Sequence, residues 1–145
     1  MDYEFAALVP EFNIIDLQRS LEFWCDGLGF EIAYQRPEEG FAYLERGKVQ
    51  VMLDRYEADG RWNVGSMEKP FGRGINFQIF VDRIEPILTS LKELNWPLFR
   101  EVEEKWYRTG DVEGGNRQFL VQDPDGYLLR FAESMGTRAL TPKPA

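Results

Sequence analysis

Two spacings organise the apolar positions of this chain. Leu17, Leu21, Trp24 and Leu28 recur as one face of a helix, and Ile84, Ile87, Leu88, Leu91 and Leu94 do the same further on. Elsewhere apolar and polar residues alternate at the strand period of two. After the first helix the strand candidates are Glu31–Gln35, Phe41–Arg46 and Lys48–Asp54; after the second they are Leu98–Val102, Gln118–Gln122 and Tyr127–Ala132. A strand also precedes each helix, at residues 5–14, interrupted by Pro10, and at residues 74–81.

Punctuation agrees with the periods. Asp16 is placed to cap the first helix and Gly29 to end it. Pro86 falls in the first turn of the second helix, where a missing N–H costs little, and Pro97 stops continuation. Arg46-Gly47-Lys48 reads as a hairpin connection, and Asp123-Pro124-Asp125-Gly126 as a tight turn. The order strand, helix, three strands therefore occurs twice, with Asp82 leaving its strand as Asp16 does. The economical reading is a duplication. It predicts an α+β fold of tandem βαβββ units, 1–54 and 74–133, within one domain. Residues 55–73 would link the units, and residues 134–145 would form a flexible tail.

Strand alternation assigns faces. Phe77, Ile79 and Val81 would meet the helix, leaving Asn76, Gln78 and Phe80 on the other side. The same rule leaves Gln118, Leu120 and Gln122, then Leu128 and Arg130, then Gln50, Met52 and Asp54, with Phe41 and Tyr43 alternating against Ala42 and Leu44. This far face is rich in amides and aromatics, a composition suited to hydrogen-bonded recognition of a polar aromatic ligand. Trp62, Trp106 and Tyr107 lie in polar, Gly-containing stretches, where stacking on a ligand competes with ordinary packing. Phe41, Tyr43, Met52, Trp62, Asn76, Gln78, Trp106, Tyr107, Gln118 and Arg130 are the candidate ligand-binding residues.

Composition narrows the chemistry. The 145 residues carry a formal net charge of -8, which disfavours nucleic acid and anionic membranes as partners. No apolar run approaches the roughly 20 residues needed to span a bilayer, and a cytoplasmic location is expected. The one cysteine, Cys25, has no partner for an internal disulfide. There is no histidine, so the commonest general base and metal ligand is missing. No catalytic residue, metal or cofactor is assigned.

The segment from Asp16 to Trp24 with Leu28-Gly29-Phe30, and the closing Phe119-Leu120-Val121-Gln122-Asp123-Pro124-Asp125-Gly126-Tyr127-Leu128-Leu129-Arg130-Phe131, resemble the vicinal oxygen chelate superfamily. That superfamily contains glyoxalases, extradiol dioxygenases, fosfomycin-resistance enzymes and bleomycin-resistance proteins. The resemblance implies curved half-barrel sheets around a groove, with helices on the outer face. Its metal-ligand positions fall near Val9, Met52, Asn76 and Arg130, which offer no donor, a thioether, an amide and a permanent cation. Such a set does not suit a divalent metal, so the metal-dependent activities of the superfamily are not expected.

Among its branches the chain is most similar to the bleomycin-resistance proteins. They imply a homodimer, with strand exchange at the place of Pro10, that sequesters a cationic, planar-ended glycopeptide. Glu104, Asp111 and Glu113 would then attract the cationic tail, whereas Gly115 replaces a groove aromatic of that branch. Two other readings stay open. One is a metal-free enzyme using Arg130 with Glu133, Glu11 or Asp54 on a small anionic substrate; the other is an interaction module with an empty groove.

Overall fold

A computed structural model describes residues 3–60 and 62–140. The chain forms two compact units: the residues up to Ile75 together with Asp123–Tyr127, and Asn76–Gln122 together with the chain from Leu128 onward.

In the first unit, β1 (Glu11–Ile14), β2 (Glu31–Arg36), β3 (Phe41–Arg46) and β4 (Val49–Arg55) form a sheet of order β1-β4-β3-β2, with β1 parallel to β4. Between β1 and β2 lie α1 (Leu17–Leu21) and a π-helical turn, Glu22–Gly27. Asp16 caps α1, its carboxylate accepting from Arg19 N at 3.1 Å. The π turn answers a local demand. Phe23 and Trp24 are adjacent, yet both are buried, at 1% and 0% exposure. An α-helix would turn them about 100° apart, whereas the wider turn closed by Leu28 N to Phe23 O at 3.0 Å accommodates both rings. They pack with Phe12 and Phe30 against the inner face formed by Ala42, Leu44, Val51 and Leu53. Each such side chain contributes about 1.5–3 kcal/mol when fully buried.

The second unit repeats the design. Strands β5 (Asn76–Phe80), β6 (Arg100–Thr109), β7 (Val112–Gln122) and β8 (Leu128–Ala139) form a sheet of order β5-β8-β7-β6, with β5 parallel to β8. Helix α2 (Glu85–Glu93) buries Ile87 and Leu91, and Ile84 before it is also buried. The inner sheet face presents Phe119, Val121, Leu129 and Phe131, and the Phe119 and Phe131 rings stack at 5.5 Å. Arg117 on β7 pairs with Glu85 of α2 at 2.6 Å. The first N–H of the helix region is satisfied from β8 rather than by Asp82: Ile84 N donates to Glu133 Oε1 at 3.0 Å.

Two expectations need correction. β6 runs to Thr109 and β7 begins at Val112, well beyond the expected Leu98–Val102 and Gln118–Gln122, so Trp106 and Tyr107 stand on one strand of a long hairpin. β8 continues to Ala139, so residues 134–139 are strand rather than tail; residues 141–145 lie outside the described residues. Charged residues and glycines hid both extensions. Charges are tolerated on two-sided, partly exposed strands, and a slip between Gly114 and Asn116 breaks the strict alternation.

Candidate functional site

The sheet face turned away from α2 holds a cavity of about 530 Å³. Its walls come from all four strands of the second unit: Gln78 and Phe80 on β5, Arg130, Ser134, Gly136 and Thr137 on β8, Gly114–Asn116 on β7, and Tyr107 and Thr109 on β6. Register brings the main polar groups together, since Gln78 lies directly opposite Arg130 in the β5–β8 ladder. The Arg130 Nε is buried without a hydrogen-bond partner. Arg130 takes part in none of the ion pairs of the described residues.

Beneath the cavity, Gln118 is 2% exposed and does not itself line it. Its Nε2 donates to the Tyr107 hydroxyl at 2.7 Å and to Glu103 Oε1 at 3.2 Å. Gln118 therefore positions the Tyr107 ring, which forms part of the cavity wall. Trp106, next along the strand, points to the opposite sheet face. There it covers Gly115, where an added Cβ would come within 2.7 Å of its ring, and Arg138 lies over it at 4.1 Å. The glycine that replaces a groove aromatic thus makes room for a tryptophan behind the cavity floor. Asn76 is exposed opposite Leu128 and is not part of the wall.

The remaining candidates belong to the first unit. Phe41, Tyr43 and Met52 stand on its outer sheet face, Tyr43 paired with Met52 across β3 and β4. This face is covered by the chain's own N-terminal arm. The rings of Tyr3 and Phe5 lie 5.8 and 5.5 Å from Tyr43, and Tyr34 stacks on Tyr43 at 5.0 Å. Gln50 locks the arm, accepting from Ala6 N at 2.8 Å and donating to Glu4 O at 3.0 Å. Tyr3 donates to Glu45, a bond that pushes the phenol up to about 12. Arg36 lies 4.0 Å over the Phe41 ring. Trp62 sits in the strand-free stretch after β4 and is 63% exposed.

Sequence reasoning missed Thr109, Gly114, Asn116, Ser134, Gly136 and Thr137. The signal was the period-two series running back from Gln118 through Asn116 to Gly114, obscured because Gly114-Gly115 reads as a loop tip.

The carboxylates fall elsewhere. Glu113 pairs with Arg138, Glu133 caps the α2 region, and Glu104 is aligned with Arg117; none lines the cavity. In the first unit Glu11 lies opposite Met52. Burial, with a hydrogen bond to Asp54 second, raises the Glu11 carboxyl above its ordinary range. Glu11 with Met52 joins a carboxylate to a soft thioether, and Gln78 with Arg130 joins an amide to a guanidinium. Among the described residues no three of His, Cys, Asp and Glu converge. A fixed cation and a weak thioether do not hold a hard or borderline divalent ion, so these residues do not fit a metal.

The architecture has known counterparts. TioX from Micromonospora sp. ML1 is similar in structure with a TM-score of 0.65 at 21% identity, covering 94% of this chain and 100% of that one. A lactoylglutathione lyase from Agrobacterium tumefaciens shares the fold at a TM-score of 0.58 and 17% identity, over 90% and 95% of the two chains. In sequence, a bleomycin resistance protein of Geobacillus stearothermophilus is 26% identical over 136 residues, covering 88% of this chain and 96% of the relative. The family model for the glyoxalase/bleomycin resistance protein/dioxygenase superfamily matches residues 8–131. Paired βαβββ units, their strand order and this match across both halves agree: the chain belongs to the glyoxalase/bleomycin resistance protein/dioxygenase superfamily.

Proposed function

We propose that this protein is a metal-free binder of small aromatic molecules that acts by sequestration, a reading that its similarity to a bleomycin resistance protein supports. The observation that carries the reading is the composition of the second unit's cavity. It offers amides, hydroxyls, aromatic rings and one arginine, and no carboxylate or imidazole to move a proton. None of the carboxylates of the alternative enzyme reading, Glu133, Glu11 and Asp54, lines this cavity. The proposal includes a cytoplasmic homodimer, as the resemblance to the resistance proteins implies, and light scattering at working concentration tests the dimer.

Titration with metal-free bleomycin and a panel of other aromatic antibiotics tests the binding itself. Trp106, behind the cavity floor, is the fluorescence reporter. The expected result is saturable binding of at least one compound, recovered unchanged by chromatography. Chemical conversion of the ligand, or no saturable response to any compound at about 100 μM, would sink sequestration.

A further inference from the structure

The cavity carries a charge preference that the overall acidity of the chain conceals. A guanidinium donor buried without a partner is costly, and an incoming acceptor relieves that cost. Arg130 Nε is such a donor, closed off beneath the wall that the Arg130 side chain gives to a cavity that no carboxylate lines. The acidic residues nearby along the sheet are already engaged or turned away, as Glu103, Glu104, Glu113 and Glu133 show. The net charge of -8 is spread over the whole chain, and salt screens charges beyond about 8 Å. Arg130 is therefore the one charged side chain that lines the cavity among the described residues, with the Glu103 carboxylate set back behind Gln118.

Two further groups complete an anion cradle. Gln78, opposite Arg130, brings amide donors. The Tyr107 oxygen accepts from Gln118, which leaves the phenol proton for another acceptor. Around them, Phe80 is 56% exposed in the cavity, and Gly114 and Gly115 put no side chain into it. A flat apolar body fits against these surfaces.

From this geometry we infer that the second unit's cavity selects a monoanionic aromatic ligand, with its carboxylate on Arg130 and Gln78 and its ring beside Phe80 and Tyr107. One fixed positive charge matches a monoanion rather than a phosphate dianion. The inference rests on the binding function proposed above and narrows it: the cavity lining offers no carboxylate to the cationic tail expected from the resistance-protein resemblance.

The test compares three probes by isothermal titration calorimetry: 2-naphthoate, neutral 2-naphthamide and 2-naphthylmethylammonium. Naphthoate is expected to bind at least about tenfold more tightly than the amide, the usual worth of a charge-assisted hydrogen bond. Arg130→Met should bring that ratio to about one, with naphthoate losing more affinity than the amide. In the unaltered protein, the Arg130 Nε–H resonance should shift on adding naphthoate, a readout that does not depend on the variant folding. Equal or tighter binding of the amide or the ammonium overturns the anion preference and leaves small-molecule binding standing. Naphthoate binding with the Arg130 resonance unmoved, or a ratio preserved in Arg130→Met, also overturns it. No saturable binding of any probe up to about 5 mM overturns the inference and counts against the binding function too.

Discussion

Asp123, in the Asp-Pro-Asp-Gly turn, should make the folded protein lose stability as pH rises. One carboxylate oxygen accepts from Asp125 N and Tyr127 N, both at 2.9 Å, and so fastens the turn. The other oxygen is buried without a hydrogen-bond partner, and the residue is 3% exposed. Burial, with the Asp125 charge beside it, raises its pKa from 3.8 to about 6, more than the backbone N–H groups of Tyr127 and Asp125 and the Trp24 side chain lower it. A carboxyl raised on folding favours the protonated folded state. Its stabilising contribution is complete below the unfolded value and is lost as pH climbs through the folded value. At 1.36 kcal/mol per pKa unit the loss is about 3 kcal/mol in all, of which about 2 kcal/mol falls between pH 4.5 and 7.5. Asp123→Asn keeps the accepting oxygen and removes the titration. Its new N–H₂ carries a cost of its own, but one that is constant with pH. The measurement is urea unfolding of both proteins by tryptophan fluorescence at several pH values across that window. The stability difference should move in favour of Asn by about 2 kcal/mol from pH 4.5 to 7.5. A difference that stays flat within about 0.5 kcal/mol, or moves toward Asp, would refute the assignment of burial as the dominant effect.

Two more outcomes are expected. Gly115→Ala places a methyl about 2.7 Å from the Trp106 ring and should destabilise the protein by about 1–3 kcal/mol, with a changed tryptophan emission; unaltered emission and stability would count against the packing described. Glu11→Gln should flatten the loss of stability that the raised Glu11 carboxyl produces as pH rises above the ordinary glutamate range, and unfolding curves from pH 4 to 7 that coincide with the unaltered protein would exclude it.

The duplicated βαβββ order was legible in the chain because periodicity and turn residues agreed at each step. Phe41–Arg46 has the bounds its alternation predicts, and the Asp123 turn behaves as its composition implies. Three things were not legible. The π turn after α1 arises from fitting Phe23 and Trp24 into one core, a tertiary demand that overrides helical spacing. The far ends of β6, β7 and β8 are charged or glycine-containing, and they extend as strands because each pairs with its neighbour. The side on which Trp106 points depends on strand register, and one position decides it: Tyr107 lines the cavity and Trp106 backs it.

The arm from Tyr3 to Ala6 gives the duplication an unequal outcome. Both units inherited a sheet with one face turned from its helix, but in the first that face is occupied by the chain's own Tyr3 and Phe5, fastened through Gln50. Arg130 in the second unit has no such internal guest. The outer face of the first unit is thus filled by the chain itself, whereas that of the second unit holds an open cavity.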